Sequence, residues 1–273
     1  MASSNRITSG LSGAANGAVR GLGNRYRRGE ATTRRLWFRL SRPVQKGAPP
    51  VWSKRMLWIV AGAVFLTALV GVFDPYFRPL AGPAPSAALR FLRDVTDSVK
   101  SGWYIVPAVI LIAIIGLMNW PELRTASRRA MLTAYGRAAY ILAAIAIPGV
   151  TVNIVKQLVG RARPRMVDEV GVYGFSPFEF NSLFQGFPSG HAATAGSLAV
   201  ILMLWHPRGK WPLLALMFVL ACGRIPAGAH YPSDVVAGFS FGAIMALAIA
   251  RWLARRRAVF TFKGDATFPR LNR

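Results

Sequence analysis

Long apolar runs alternate with short polar connections between residues 56 and 253. Six runs predict transmembrane helices, at residues 56–73, 102–120, 134–155, 191–205, 211–222 and 235–253. The first contains 18 residues without a charge, which as a helix is long enough to cross a hydrocarbon core. Trp103, Tyr104 and Trp120 lie at the ends of the second run, where interfacial anchors are expected. The pattern predicts an all-α polytopic membrane protein with six transmembrane helices in a bundle.

The flanking segments differ from this core in composition. Residues 1–55 contain 12 Lys or Arg and a single acid, Glu30, and their first part is rich in Gly, Ser, Ala and Asn. We expect a disordered cytoplasmic tail there, with an organellar transit peptide as the alternative. We expect the six-helix domain to extend over residues 56–257 and a short cytoplasmic tail over residues 258–273. Within the connection 74–101, apolar residues at helical spacing predict a short amphipathic helix.

Charge restricts the partners and the topology. The chain carries a formal charge of +24, but its basic residues cluster in tails and loops between apolar runs. That distribution favours topology signals and lipid headgroups over nucleic acid, so no nucleic-acid partner is predicted. Six spans place both termini on one side, and the positive-inside bias assigns that side to the cytoplasm, as in a bacterial inner-membrane protein. With only Cys222 and few carboxylates, no metal site or other cofactor is predicted.

Polar residues suited to chemistry form three clusters, all predicted on the outer face. The first is Lys156 with Arg163-Pro164, the second is Pro188-Ser189-Gly190-His191, and the third is Arg224 with His230 and Asp234. The helix before Arg224 is short: the twelve steps from Pro212 span about 18 Å, less than the roughly 30 Å core. Arg224 is therefore expected below the membrane surface, where a cation is costly without an anionic partner.

Each cluster suggests a role together with a simpler structural alternative. Pro232 is suited to open a helix, so Asp234 in its first turn is expected to reach back to His230, fix the imidazole tautomer and leave a nucleophilic nitrogen. The alternative is a capping aspartate beside an unrelated histidine. Ser189 is expected to cap the fourth helix, with His191 placed to donate a proton, or to be a plain interfacial residue.

The remaining basic residues divide into two groups. Lys156, Arg163 and Arg224 are expected to converge on one phosphate group. Arg161 and Arg165 are expected to meet only solvent or lipid headgroups. Gly160 is a candidate break between Lys156 and Arg163.

In this order, the three clusters resemble the three-part signature of the type 2 phosphatidic acid phosphatase superfamily. The signature covers about eighty residues, from Lys156 to Asp234. One departure is Gly223, where the third motif usually has a serine before the arginine. The resemblance implies a metal-independent membrane phosphatase in which His230 attacks phosphorus, Asp234 orients it and His191 protonates the leaving group. It also implies that Lys156, Arg163, Ser189, Gly190 and Arg224 bind the phosphoryl oxygens.

Two other functions share these residues. One is a vanadium haloperoxidase-like oxidase, a reaction class of the same superfamily, and the other is a non-enzymatic lipid-binding or scramblase-like protein. The substrate is not readable from the sequence; undecaprenyl pyrophosphate, lipid A phosphate, phosphatidylglycerophosphate and phosphatidate are the candidates. The aromatic loop 173–187 is either a lid that contacts acyl chains or interfacial packing.

Overall fold

The computed structural model describes residues 34, 37–38, 40–81, 86–118, 120–264 and 266–272. Of the disordered tail predicted for residues 1–55, residues 1–33, 35–36 and 39 lie outside this part of the chain. The α-helices are α1 (Lys54–Phe73), α2 (Ala87–Val95), α3 (Gly102–Leu117), α4 (Thr125–Val159), α5 (Val167–Val170), α6 (Gly190–Trp205), α7 (Lys210–Cys222) and α8 (Pro232–Ala254). Short 3₁₀ helices connect them, and β1 (Phe260–Thr261) pairs antiparallel with β2 (Arg270–Leu271).

Each of the six predicted spans contains an α-helix, but these helices differ in length. Among the residues described, four helical segments are long and apolar enough to cross a membrane: Lys54–Phe77, Arg90–Leu117, Thr125–Val159 and Pro232–Ala254. Helices α6 and α7 have only 16 and 13 residues. The mostly helical membrane architecture is confirmed, whereas six crossings are not. The amphipathic helix predicted within 74–101 is present as α2.

Helix α4 determines the position of Lys156, the first residue of the first cluster. It continues for 35 residues through Pro148 and is longer than predicted at both ends. It stops at Gly160, whose φ of 59° is in the left-handed region that favours glycine. The predicted break at Gly160 is therefore confirmed, and Lys156 lies in the last helical turn.

Helices α6 and α8 are in backbone contact. A Cβ atom on Gly242 of α8 would overlap the carbonyl oxygen of Ala193, and one on Gly196 of α6 would overlap the carbonyl oxygen of Phe239. Small residues permit this approach in membrane bundles, where close packing stabilises helix pairs. The second cluster begins α6 and the third ends at the start of α8, so this contact fixes the two clusters relative to each other.

At the other end of α8, a buried arginine ties the flanking segments together. Arg251 is 1% exposed and donates hydrogen bonds to the carbonyl oxygens of Pro50, Val51, Ala266 and Thr267. The β1–β2 pair packs on the same region. The predicted domain boundaries stay predictions, and segments on both sides of them fold against the bundle.

Candidate active site

Three cationic side chains from different parts of the chain have few anionic partners. Lys156 is 8% exposed, and Arg163 and Arg224 are half-buried. Within the described ranges, neither Lys156 nor Arg163 has a side-chain hydrogen bond or an ion pair, and the ion-pair partner of Arg224, Asp97, is 3.9 Å away. Burial lowers the pKa of Arg163 and of Arg224, and neighbouring arginines lower both further. Such a group favours binding of an anion.

The second cluster begins helix α6 as predicted. Ser189 is the N-cap, and its hydroxyl accepts a hydrogen bond from Ala192 N at 3.3 Å. His191 follows in the first turn with its Nε2 atom buried. That nitrogen has no hydrogen-bond partner among the residues described. A buried, unpartnered nitrogen at a helix N-terminus is available to a bound ligand.

His230 is held in one tautomer by a backbone carbonyl. Its side chain is 3% exposed, and Nδ1 lies 2.6 Å from the carbonyl oxygen of Gly186. Because a carbonyl oxygen only accepts, Nδ1 carries the proton and Nε2 keeps its lone pair. Burial lowers the pKa of His230 well below its usual value, and the charges of Lys156, Arg163 and Arg224 lower it further. The imidazole is therefore neutral at pH 7 and has a free nucleophilic nitrogen.

The hydrogen bond predicted between Asp234 and His230 is wrong. The closest pair of atoms, His230 Nδ1 and Asp234 Oδ2, is separated by 3.9 Å. Asp234 Oδ2 instead accepts from Tyr231 N at 2.8 Å and caps the helix that Pro232 opens. Its Oδ1 accepts from Arg161 at 2.6 Å. These two donors hold the carboxylate of Asp234. The carbonyl oxygen of Gly186 occupies the position at the His230 ring that was predicted for Asp234.

The expectation for Arg161 is also wrong, whereas Arg165 is exposed as expected. Arg161 is 4% exposed and donates to Asp234, to Asp74 at 2.8 Å and to Ser233 at 2.8 Å. Burial by itself lowers the pKa of Arg161, but the two carboxylates outweigh burial and the net pKa is raised. We call Asp74, Arg161, Ser233 and Asp234 the buried ion network.

Sequence reasoning missed the other members of this network. Asp74 is fully buried at the end of α1 and accepts from the backbone nitrogen and hydroxyl of Ser233. Asp74 and Arg161 are 87 residues apart, so no local pattern joins them. The available signal was the position of Asp74, directly after an apolar run, where a carboxylate needs a partner.

Backbone contacts join the clusters to one another. Ser189 N donates to Asp234 O at 3.0 Å, which links the second cluster to the third. Gly186 N donates to Arg161 O at 2.8 Å, so the loop of the first cluster holds the residue that orients His230. The charges of Lys156, Arg163 and Arg224 act on His230, and those of Lys156 and Arg224 also act on His191. The structure thus places the three predicted clusters at one site; their members are Lys156, Arg163, Ser189, Gly190, His191, Arg224, His230 and Asp234.

The aromatic loop lies beside this site. Tyr173, Phe175, Phe178 and Phe180 are exposed, and the Tyr173 hydroxyl donates to Gly71 O of α1 at 2.9 Å. Its role as a lid stays a prediction.

Comparisons with known proteins identify the family of this chain. Residues 137–258 match the PAP2 superfamily. The chain is 33% identical over 236 residues to the lipid A 1-phosphatase of Rhizobium johnstonii, covering 85% of this chain and 95% of that protein. The chain belongs to the PAP2 superfamily. The resemblance noted in the sequence is confirmed.

Further relatives of this PAP2 protein are more distant. The decaprenylphosphoryl-5-phosphoribose phosphatase of Mycobacterium tuberculosis is 31% identical over 134 residues, covering 49% of this chain and 65% of that protein. The crystal structure of a PAP2-type phosphatidylglycerolphosphate phosphatase from Bacillus subtilis has a TM-score of 0.49 and 18% identity, covering 72% of this chain and 94% of that chain. The curated relatives named here are phosphatases, and this PAP2 chain is a hydrolase of that kind.

Proposed function

We propose that the protein hydrolyses a lipid phosphate or a polyprenyl pyrophosphate through a phosphohistidine intermediate on His230. The observation that carries the proposal is the pairing of a neutral, oriented His230 with three poorly neutralised cations, Lys156, Arg163 and Arg224. Phosphoryl transfer depends mainly on positioning and on stabilising charge at the equatorial oxygens, which these cations are suited to do.

The first step is attack of His230 Nε2 on phosphorus. An N–P bond forms while the bond between phosphorus and the leaving oxygen breaks, and His191 gives that oxygen its proton. The ring then carries positive charge, with its Nδ1–H donated to Gly186 O and Asp234 at 3.9 Å as a countercharge. Meanwhile Lys156, Arg163 and Arg224, with the Ser189–Gly190 backbone, bind the phosphoryl oxygens.

The second step regenerates the enzyme. Water attacks phosphorus, neutral His191 accepts the proton from that water, and the N–P bond to His230 breaks. Inorganic phosphate leaves, and both histidines return to their starting states. The roles of acid and base on His191 thus alternate between the two steps.

An apolar cavity next to the site supports the proposal of a lipid substrate. A cavity of about 520 Å³ lies between α1, α4 and α8, and nearly all of its lining is apolar. It reaches Phe187 and Pro188, immediately before the capping Ser189. Because the relative of highest coverage named above is a lipid A 1-phosphatase, a phosphorylated glycolipid is the first substrate to test.

We also propose the topology behind this chemistry. The protein crosses a bacterial inner membrane six times, with cytoplasmic termini and the site on the outer face. Basic residues at both ends of the chain support this orientation through the positive-inside bias. Helices α6 and α7 are short because the site lies below the membrane surface, so that they need not cross the full core.

The decisive experiment measures phosphate release by the purified protein in detergent, with EDTA present. The panel contains lipid A phosphate, undecaprenyl pyrophosphate, phosphatidylglycerophosphate and phosphatidate. We expect release from at least one lipid, no turnover by His230→Ala, and no dependence on magnesium. Turnover by His230→Ala would contradict the phosphohistidine, and activity restored only by magnesium would contradict metal independence.

A second comparison isolates the general acid. A lipid alkoxide needs a proton to leave, whereas p-nitrophenolate needs one much less. His191→Ala should therefore lose far more rate on the lipid phosphate than on p-nitrophenyl phosphate. Equal losses on both substrates would remove the assignment of His191.

A further inference from the structure

The connection between α1 and α3 brings a carboxylate to the site. After α2, a 3₁₀ helix (Thr96–Val99) places Asp97 Oδ1 4.0 Å from His191 Nε2 and 3.9 Å from Arg224 Nη1. The other oxygen, Oδ2, accepts from Lys100 Nζ at 2.7 Å. The Asp97 side chain is 54% exposed, so it lies at the open side of the site. The three sequence clusters do not include this residue.

Gly223 allows this connection to approach. Thr96 is fully buried, and its hydroxyl donates to Leu220 O of α7 at 2.8 Å. A Cβ atom on Gly223 would lie only 2.5 Å from Leu92 O and 3.1 Å from Thr96 Cβ. A serine at this position would therefore push the connection away from the end of α7. The missing side chain at Gly223 therefore lets Thr96, the neighbour of Asp97, pack against the end of α7.

The charges that face His191 make a carboxylate useful there. Lys156 of α4, Arg224 after α7 and Lys100 of the connection are cations, and each opposes a positive charge on the imidazole. Asp97 favours that charge, and in the described part of the chain no other carboxylate oxygen lies within 4.0 Å of the His191 ring nitrogens. A general acid must hold its proton until the leaving group departs.

We propose that Asp97 is a positioning residue for the general acid: its carboxylate, admitted by Gly223, stabilises and orients the protonated form of His191. The inference rests on the proposed function, because it assigns a partner to the acid of that mechanism. Lys100 holds the carboxylate at the open side of the site, so that it faces His191 without entering the phosphate position between the cations.

The test compares Asp97→Asn with the wild type on two substrates and over pH. Asp97→Asn should lose roughly tenfold or more in kcat on the lipid phosphate, a part of the about 10²–10⁴-fold that general acids supply. Its loss on p-nitrophenyl phosphate should be several-fold smaller, since that leaving group hardly needs the proton. The basic limb of the kcat profile should move to lower pH, and Asp97→Glu should recover most of the activity.

Two further variants sharpen the test. Asp94→Asn is the matched control, because Asp94 is an exposed carboxylate on the same connection and pairs with Arg93 at 3.2 Å. It should behave as the wild type on both substrates. Gly223→Ser should reproduce the substrate dependence and the pH shift of Asp97→Asn, because the added side chain displaces Leu92 and Thr96.

The outcomes separate this inference from the proposed function. If the wild type released no phosphate from any lipid, the proposed function would fail. With an active wild type, equal losses on both substrates and an unmoved pH profile would overturn the role of Asp97. Faster turnover by Asp97→Asn would overturn it too, by showing that the carboxylate competes with the phosphate for Arg224. If Gly223→Ser behaved as the wild type, the contact at the end of α7 would not determine the position of Asp97.

Discussion

Replacing Arg161 by methionine would remove the cation that pairs with both carboxylates of the buried ion network. Methionine keeps much of the length and apolar bulk of the side chain but removes the charge and all the donors. Asp74 and Asp234, both fully buried, would then face each other without their shared cation. Ser233 would lose its Arg161 donor as well. The change therefore leaves buried charge unpaired, which is among the most destabilising consequences of a single substitution.

The expected loss of stability is large because the network is buried. Removing one partner of a buried ion pair costs about 3–5 kcal/mol, and a chain of this size loses roughly 2–4 °C of Tm per kcal/mol. Arg161→Met should therefore lower Tm by about 6–20 °C. Arg165→Met is the matched control four residues along the same loop: Arg165 is exposed, and its one hydrogen bond to the described residues goes to Ala227 O at 3.3 Å. Its effect should stay within about 0.5 kcal/mol, or roughly 2 °C.

Thermal unfolding of the detergent-purified variants, followed by tryptophan fluorescence, measures both values. Adding Asp74→Asn to Arg161→Met should recover part of the loss, because one of the two unpaired carboxylates becomes neutral. If Arg161→Met unfolded at the same temperature as Arg165→Met, the network would contribute nothing to stability, and its interpretation as a buried structural link would be refuted.

Three other expectations follow from the same structure. Burial lowers the pKa of His230 in the folded state. As the pH falls below about 6.5, the unfolded chain therefore binds this proton more readily than the folded protein does, and the free energy of unfolding decreases. Tm should therefore fall more steeply with acid for the wild type than for His230→Gln, and parallel curves would contradict this. Gly242→Ala should destabilise the protein by at least about 1 kcal/mol in a thermal melt, while Gly62→Ala, with open space around it, should be neutral or stabilising; equal effects would argue against the α6–α8 contact. A cysteine placed at Val167, in a Cys222→Ser background, should react with an impermeant thiol reagent in intact spheroplasts, and labelling only after lysis would invert the proposed topology.

The features predicted correctly were those that local sequence determines. An N-cap serine, a helix-opening proline and a glycine at a helix end each act within a few residues, and Ser189, Pro232 and Gly160 behave as expected. The positions of six helices were also predicted correctly, because an apolar run is a local feature of the sequence. Their lengths in the structure explain why the number of crossings is harder to infer, since an apolar run of 13 residues is compatible with either a full or a partial crossing.

The features predicted wrongly depend on contacts between distant segments. Asp234 was expected to pair with His230 because it lies in the first turn of the helix that begins just after His230, yet Arg161 reaches it from 73 residues away. Competition between donors decided the outcome, and sequence spacing does not reveal the competing donor. Asp97 was missed for a related reason: its proximity to His191 depends on the packing of the connection against Gly223 at the end of α7.

The contact between α6 and α8 has a consequence for how such an enzyme can change its substrate. His191 is carried by one of these helices and Asp234 by the other, and glycines join their backbones without intervening side chains. Substitutions in α1 or in the aromatic loop therefore reshape the space around a lipid while the spacing between these two helices is retained. Directed evolution toward a new lipid should concentrate its accepted changes in that surrounding layer and leave the α6–α8 seam unaltered.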